Sequence, residues 1–138
     1  MRVAVALLLA AVALAGCRSD NAAPEEVDTS CEQLDRPSAD AAPPPGYLSL
    51  PPDQKLLRVQ TQGRTTVVFA STAGGRGDLI EVRDRVLTAL KAQQFSVSGT
   101  DQEPGFEAEA QIAGPSEGTV RVTPLCTGRI QVRYKLEG

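Results

Sequence analysis

The sequence predicts an α+β domain: an antiparallel sheet with one helix packed on one face, in the order ββαββββ. Three observations lead there. Val, Leu, Thr and Phe crowd residues 55–71 on either side of a glycine, the composition of strands. Residues 78–94 form the stretch whose apolar positions recur at helical spacing, and a hydrophobic period near 3.6 specifies an amphipathic helix. Beyond residue 94 the apolar period changes to two and keeps that value to the end of the chain.

Taken in order, Lys55–Gln62 and Arg64–Ser71 flank Gly63 and read as a hairpin or two consecutive strands. Residues 72–77, with glycines at 74, 75 and 77, read as a loop. Asp78 with Glu81 three residues on has the form of a variant capping box. Leu79, Val82, Val86, Leu87 and Leu90 then share one helical face, with Arg83, Asp84, Arg85 and Lys91 on the others, so a helix is expected from Asp78 to about Gln94. Phe95, Val97 and Gly99 alternate with polar residues, as do Phe106, Ala108, Ala110 and Ile112, then Val120 and Val122, then Ile130, Val132, Tyr134 and Leu136. Turns are expected at 115–118 and 126–128. Such alternation gives each strand one buried and one wet face. Tyr47, Leu48 and Leu50, beside Pro51 and Pro52, are expected to pack on the helix or a sheet edge.

The wet face supplies the candidate functional surface. If the last three strands are neighbours, Glu107 and Glu109 lie beside Arg121, which lies beside Arg129, Arg133 and Lys135. Opposite charges facing across strands stabilise a sheet by a few tenths of a kcal/mol each, and a solvated face needs no further explanation. The same six residues would also make a docking surface with an acidic and a basic half.

Composition removes most chemistry. The 138 residues include no His and no Trp, which excludes Ser-His-Asp and Cys-His nucleophiles and His metal ligands. A net charge of -3 gives no footprint for nucleic acid. The glycine-rich loop before the helix lacks the Gly-Lys-Ser/Thr ending of a P-loop and the glycine spacing of a dinucleotide fingerprint. Within it Arg76-Gly77-Asp78 spells an integrin-recognition tripeptide, in which Asp78 is expected to cap the helix instead. Asp101, Glu103, Glu107 and Glu109 could in principle serve a glycosidase or a weak Ca²⁺ site, but a wet face raises no carboxyl pKa by burial and no loop spacing matches. No catalytic residue, cofactor or metal is therefore expected.

The chain opens MRVAVALLLAAVALAGC. Arg2 precedes an unbroken apolar run from Val3 to Ala15. That run is shorter than the about 20 residues a transmembrane helix needs, and has the form of a signal-peptide core. Leu14-Ala15-Gly16-Cys17 resembles the lipobox of bacterial lipoproteins in all four positions. The resemblance implies removal of residues 1–16, a diacylglyceryl group on Cys17, and a protein held to the outside of the cell membrane by that lipid. An Arg at position 18 departs from the Asp of the best-known inner-membrane retention signal.

With Cys17 lipidated, Cys31 and Cys126 remain outside the cytoplasm, where a disulfide between them would persist. Two free thiols or an intermolecular bridge are the alternatives. Closing so long a loop would add about 4–5 kcal/mol in the chain-entropy model. Residues 18–45 hold seven acids and two bases among Pro, Ala and Ser, the composition of a tether. The expected plan is thus a signal peptide at 1–16, lipidated Cys and tether at 17–45, and the α+β domain at 46–138. Its expected role is a non-catalytic binding or interaction module of the bacterial cell envelope, with a protein partner. A small apolar-ligand carrier, or less favourably a carboxylate hydrolase, is the alternative.

Overall fold

The computed structural model describes residues 30–138. The expected signal peptide and the lipidated Cys17 lie outside the described residues. Six strands, β1 (Lys55–Gln62), β2 (Thr65–Ala73), β3 (Ser96–Glu103), β4 (Glu107–Ala113), β5 (Glu117–Cys126) and β6 (Arg129–Glu137), form one sheet in the order β1-β2-β6-β5-β4-β3. Every neighbouring pair is antiparallel. The chain makes the β1–β2 hairpin, crosses the sheet through a 3-10 turn (Arg76–Asp78) and the helix α2 (Leu79–Lys91), and returns as the meander β3-β4-β5-β6. The last strand therefore closes against β2 in the middle of the sheet.

One expected feature of the order is corrected. A one-turn helix, α1 (Cys31–Leu34), precedes β1. It sits within the segment read as tether, and it packs on the sheet face opposite α2. Four residues without an apolar period give no helical signal; Cys31, disulfide-bonded to Cys126 with 5.4 Å between Cα atoms, holds the turn in place. The second strand of the hairpin also runs on through Thr72 and Ala73, two residues expected in the glycine-rich loop.

The core lies on the α2 side. Leu79, Val82, Val86, Leu87 and Leu90 meet Val68, Ala70, Ala108, Ala110, Ile112, Val120, Val122, Val132, Tyr134 and Leu136, all buried. Burial of each large aliphatic side chain is worth about 2 kcal/mol. Small Ala108 and Ala110 on β4 make room for the helix. Leu48 joins the same core, fixed by Gln93, whose side chain accepts from Ser49 N at 2.7 Å and donates to Ser49 O at 2.9 Å. Gly118 shows how tightly β5 and β6 approach: a Cβ there would overlap the carbonyl oxygen of Lys135.

Four local expectations change. Asp78 has helical torsions (φ -99°, ψ 0°), so its carboxylate turns back to accept from Gly75 N at 2.7 Å rather than capping α2 with Glu81. The helix stops at Lys91, because Gln93 and Gln94 bond three residues back and Gln94 takes a left-handed φ of 68°. Arg83, placed outward by the periodicity, is buried: it spans Asp84 and the β3 acceptors Asp101 O and Gln102 Oε1. Phe106 likewise leaves the alternation, since it closes the β3–β4 turn through Phe106 N to Glu103 O and is 67% exposed. Among the described residues, no helix is long and apolar enough to cross a membrane.

Candidate functional site

Side chains alternate across a strand, so burying Val132, Tyr134, Val120, Val122, Ala108 and Ala110 under α2 turns their neighbours to the opposite face. The pairing register then brings Arg58, Phe69, Arg133, Arg121, Glu109 and Asp101 into one row that crosses all six strands. With strands about 4.8 Å apart the row is roughly 24 Å long. Its β1, β2, β6 and β5 positions carry three arginines and an aromatic ring; its β4 and β3 positions carry carboxylates.

The acidic half sets like charges opposite one another, Asp101 against Glu109 and Glu103 against Glu107, an arrangement that destabilises a sheet. Arg121 offsets it. Its Nε lies 2.7 Å from Glu109 and 3.6 Å from Glu107, and the hydrogen bond to Glu109 raises its pKa further above the usual guanidinium value. Glu107, Glu109 and Arg121 are thus brought together as the sequence suggested, with Arg133 directly across from Arg121.

Lys135 and Arg129 stand apart from that group. Lys135 is paired with Glu137 at 2.9 Å and lies opposite Thr119 and Val67. Arg129 lies at the far end of β6, under the N-terminal segment: its Nε is 3.2 Å from Asp35 and its Nη2 donates to Ser71 Oγ at 2.9 Å. Asp35 also accepts from Lys55 Nζ at 2.6 Å and from Ser71 Oγ. Burial pushes the Asp35 carboxyl up, but these donors together hold it below the usual carboxylate range. The Asp35–Arg129 contact is a clamp between α1 and the sheet.

Two members of the row were not legible as site residues. Arg58 follows a register shift between Leu56 and Arg58, which lets Leu57 and Arg58 both line the groove beside α1 and hides the parity of β1. Phe69 reads as core by composition, yet its ring lies on the open face with the Arg58 guanidinium stacked 4.0 Å from its centroid. The signal that would have found them is the sheet order, because β2 borders this face only through its pairing with β6.

On the other side of the sheet, the core side chains named above pack between α2 and the strands. Among the described residues, no group of three or more Cys, Asp or Glu is placed to hold a metal ion. The chain matches no protein-family model, no curated protein and no solved structure.

Proposed function

We propose that this chain is a non-catalytic interaction module of the bacterial cell envelope, tethered outside the membrane through lipid on Cys17 and engaging a protein partner with the open face of its sheet. The observation that supports it is the six-residue row Arg58–Phe69–Arg133–Arg121–Glu109–Asp101, which gives the face opposite α2 a charge pattern and an aromatic anchor. Arg and aromatic residues are the side chains enriched where protein partners bind most strongly. The address rests on the lipobox-like Leu14-Ala15-Gly16-Cys17; replacing Cys17 by Ser should release the protein from the membrane fraction.

Site-specific photo-crosslinking in intact host cells tests the surface. Crosslinkers at Thr119 and Thr123, on the open face of β5, should capture one reproducible protein. Crosslinkers at Glu81 and Thr88, on the outer side of α2, should not. Equal capture from both faces, or none from the open one, would refute the docking role.

A further inference from the structure

Two arginines in the basic half of the row stand without a carboxylate partner among the described residues. Arg121, Arg129 and Lys135 each lie within 4 Å of a carboxylate, at Glu109, Asp35 and Glu137. Among the described residues, Arg58 and Arg133 have no such partner. The Arg133 Nε is buried and donates to no acceptor there, whereas a buried polar group is normally hydrogen-bonded. The Arg58 guanidinium carbon lies over the Phe69 ring, 4.0 Å from its centroid, a contact that engages the cation without using a hydrogen-bond donor. An Arg held this way is suited to bidentate recognition of carboxylate.

Beside these residues the sheet and α1 enclose a groove of about 380 Å³, floored by Leu34, Leu57, Phe69 and Leu125. Leu34 is 39% exposed there, one of three exposed large apolar side chains among the described residues. The groove joins an apolar floor to the two unpaired arginines, because Arg58 and Phe69 line it and Arg133 faces Phe69 on the next strand.

We infer that Arg58, Phe69 and Arg133, with the groove beside α1, receive an extended acidic polypeptide segment of the partner. This rests on the interaction-face reading above and names the chemistry of what docks there. Arg58 and Arg133 are two strands apart, about 10 Å. An extended polyproline-like chain rises about 3.1 Å per residue with three residues per turn, so two carboxylates three residues apart fall on one side at matching distance. An apolar side chain next to them fills the groove over Leu34 and Leu57. A flat anionic membrane is the poorer occupant, since Asp101, Glu103, Glu107 and Glu109 share the face and would be repelled by acidic headgroups. A narrow peptide avoids them.

The test uses the full chain in neutral detergent and a fluorescent peptide with two glutamates three residues apart and a leucine beside them. A peptide with lysines in place of the glutamates is the control. The glutamate peptide should bind saturably, and the lysine peptide should not. Arg58→Gln and Arg133→Gln should each weaken binding at least tenfold, and Lys91→Gln, on α2, should leave it unchanged. Absence of saturable binding would overturn the inference, as would equal affinity of both Arg variants and the parent chain. Adsorption to phosphatidylglycerol vesicles that is lost in the same variants, without peptide binding, would overturn it in favour of a lipid surface. Should Arg133→Gln not fold, exposed Arg58 carries the test alone. If crosslinks from Thr119 and Thr123 persist while the peptide fails, the docking face stands and only its acidic ligand falls.

Discussion

Replacing Asp35 by Ala would remove the group on which the N-terminal segment converges. Its side chain is 16% exposed and meets Arg129, 26% exposed, at 3.2 Å, Lys55 at 2.6 Å, and the fully buried Ser71. Hydrogen bonds to charged groups are worth about 1.5–3 kcal/mol each when buried. The Lys55 contact contributes little because that side chain is 43% exposed. Loss of the Arg129 and Ser71 contacts, and the stranding of Arg129 that follows, sum to about 2–3 kcal/mol, or on the order of 10 °C in Tm for a domain of this size. Urea denaturation of the parent and variant at pH 7 and pH 2 measures it. A carboxyl whose folded pKa lies below its ordinary 3.8 stabilises the fold fully above that value and loses its contribution as pH falls through the folded pKa. The gap between parent and variant should therefore be full at pH 7 and shrink below about pH 4. Equal stability at pH 7, or a gap that survives at pH 2, would refute the clamp.

Three further predictions follow from the same packing. The double variant Cys31→Ser/Cys126→Ser should lose at least about 2 kcal/mol and at most the about 4.7 kcal/mol of the chain-entropy model for a loop this long; a denaturation midpoint indifferent to reducing agent in the parent chain would contradict this. Gly118→Ala, which sets a methyl group against the Lys135 carbonyl, should cost about 3 kcal/mol or abolish folding, whereas Gly128→Ala, in open space at φ +75°, should cost only about 1 kcal/mol; equal thermal shifts would show that strand crowding does not decide the matter. Burial raises the pKa of the fully buried Tyr134, whose hydroxyl donates to Gln54 Oε1 at 2.8 Å. Stability is thus complete below the ordinary phenol value of about 10 and falls as pH rises above it. Tyr134→Phe should cost about 1 kcal/mol at pH 7 and flatten the alkaline limb, read by circular dichroism between pH 8 and pH 12.

Periodicity made the sheet and α2 readable because burial acts on alternate residues of a strand and on every third or fourth of a helix. Val120/Val122 and Ile130–Leu136 obey that rule without exception, and those strands fall where alternation puts them. Arg83 and Phe106 broke it, one because a long side chain can reach carbonyls on β3, the other because a tight turn claimed its backbone. The Glu107–Glu109–Arg121 contact was visible in sequence because it joins consecutive strands. Arg58 and Phe69 were not, because their place depends on β2 pairing with a strand some 60 residues downstream, to which no local pattern refers. Arg129 misled for the same reason: its partner, Asp35, comes from a segment whose composition describes a tether.

The disulfide also decides how the domain would bear mechanical load. A pull applied to the chain before Cys31 does not travel along α1 to the edge strand β1, from which a sheet can be peeled one ladder at a time. It passes through sulfur into Cys126, at the end of β5, an interior strand with neighbours on both sides. Between the N-terminal side and Gly138, the covalent line of tension then contains only the β5–β6 turn and β6, while everything from residue 32 to residue 125 lies outside it. The open face, assembled from strands within that sheltered stretch and from β6, would keep its shape until β6 itself was torn from between β2 and β5.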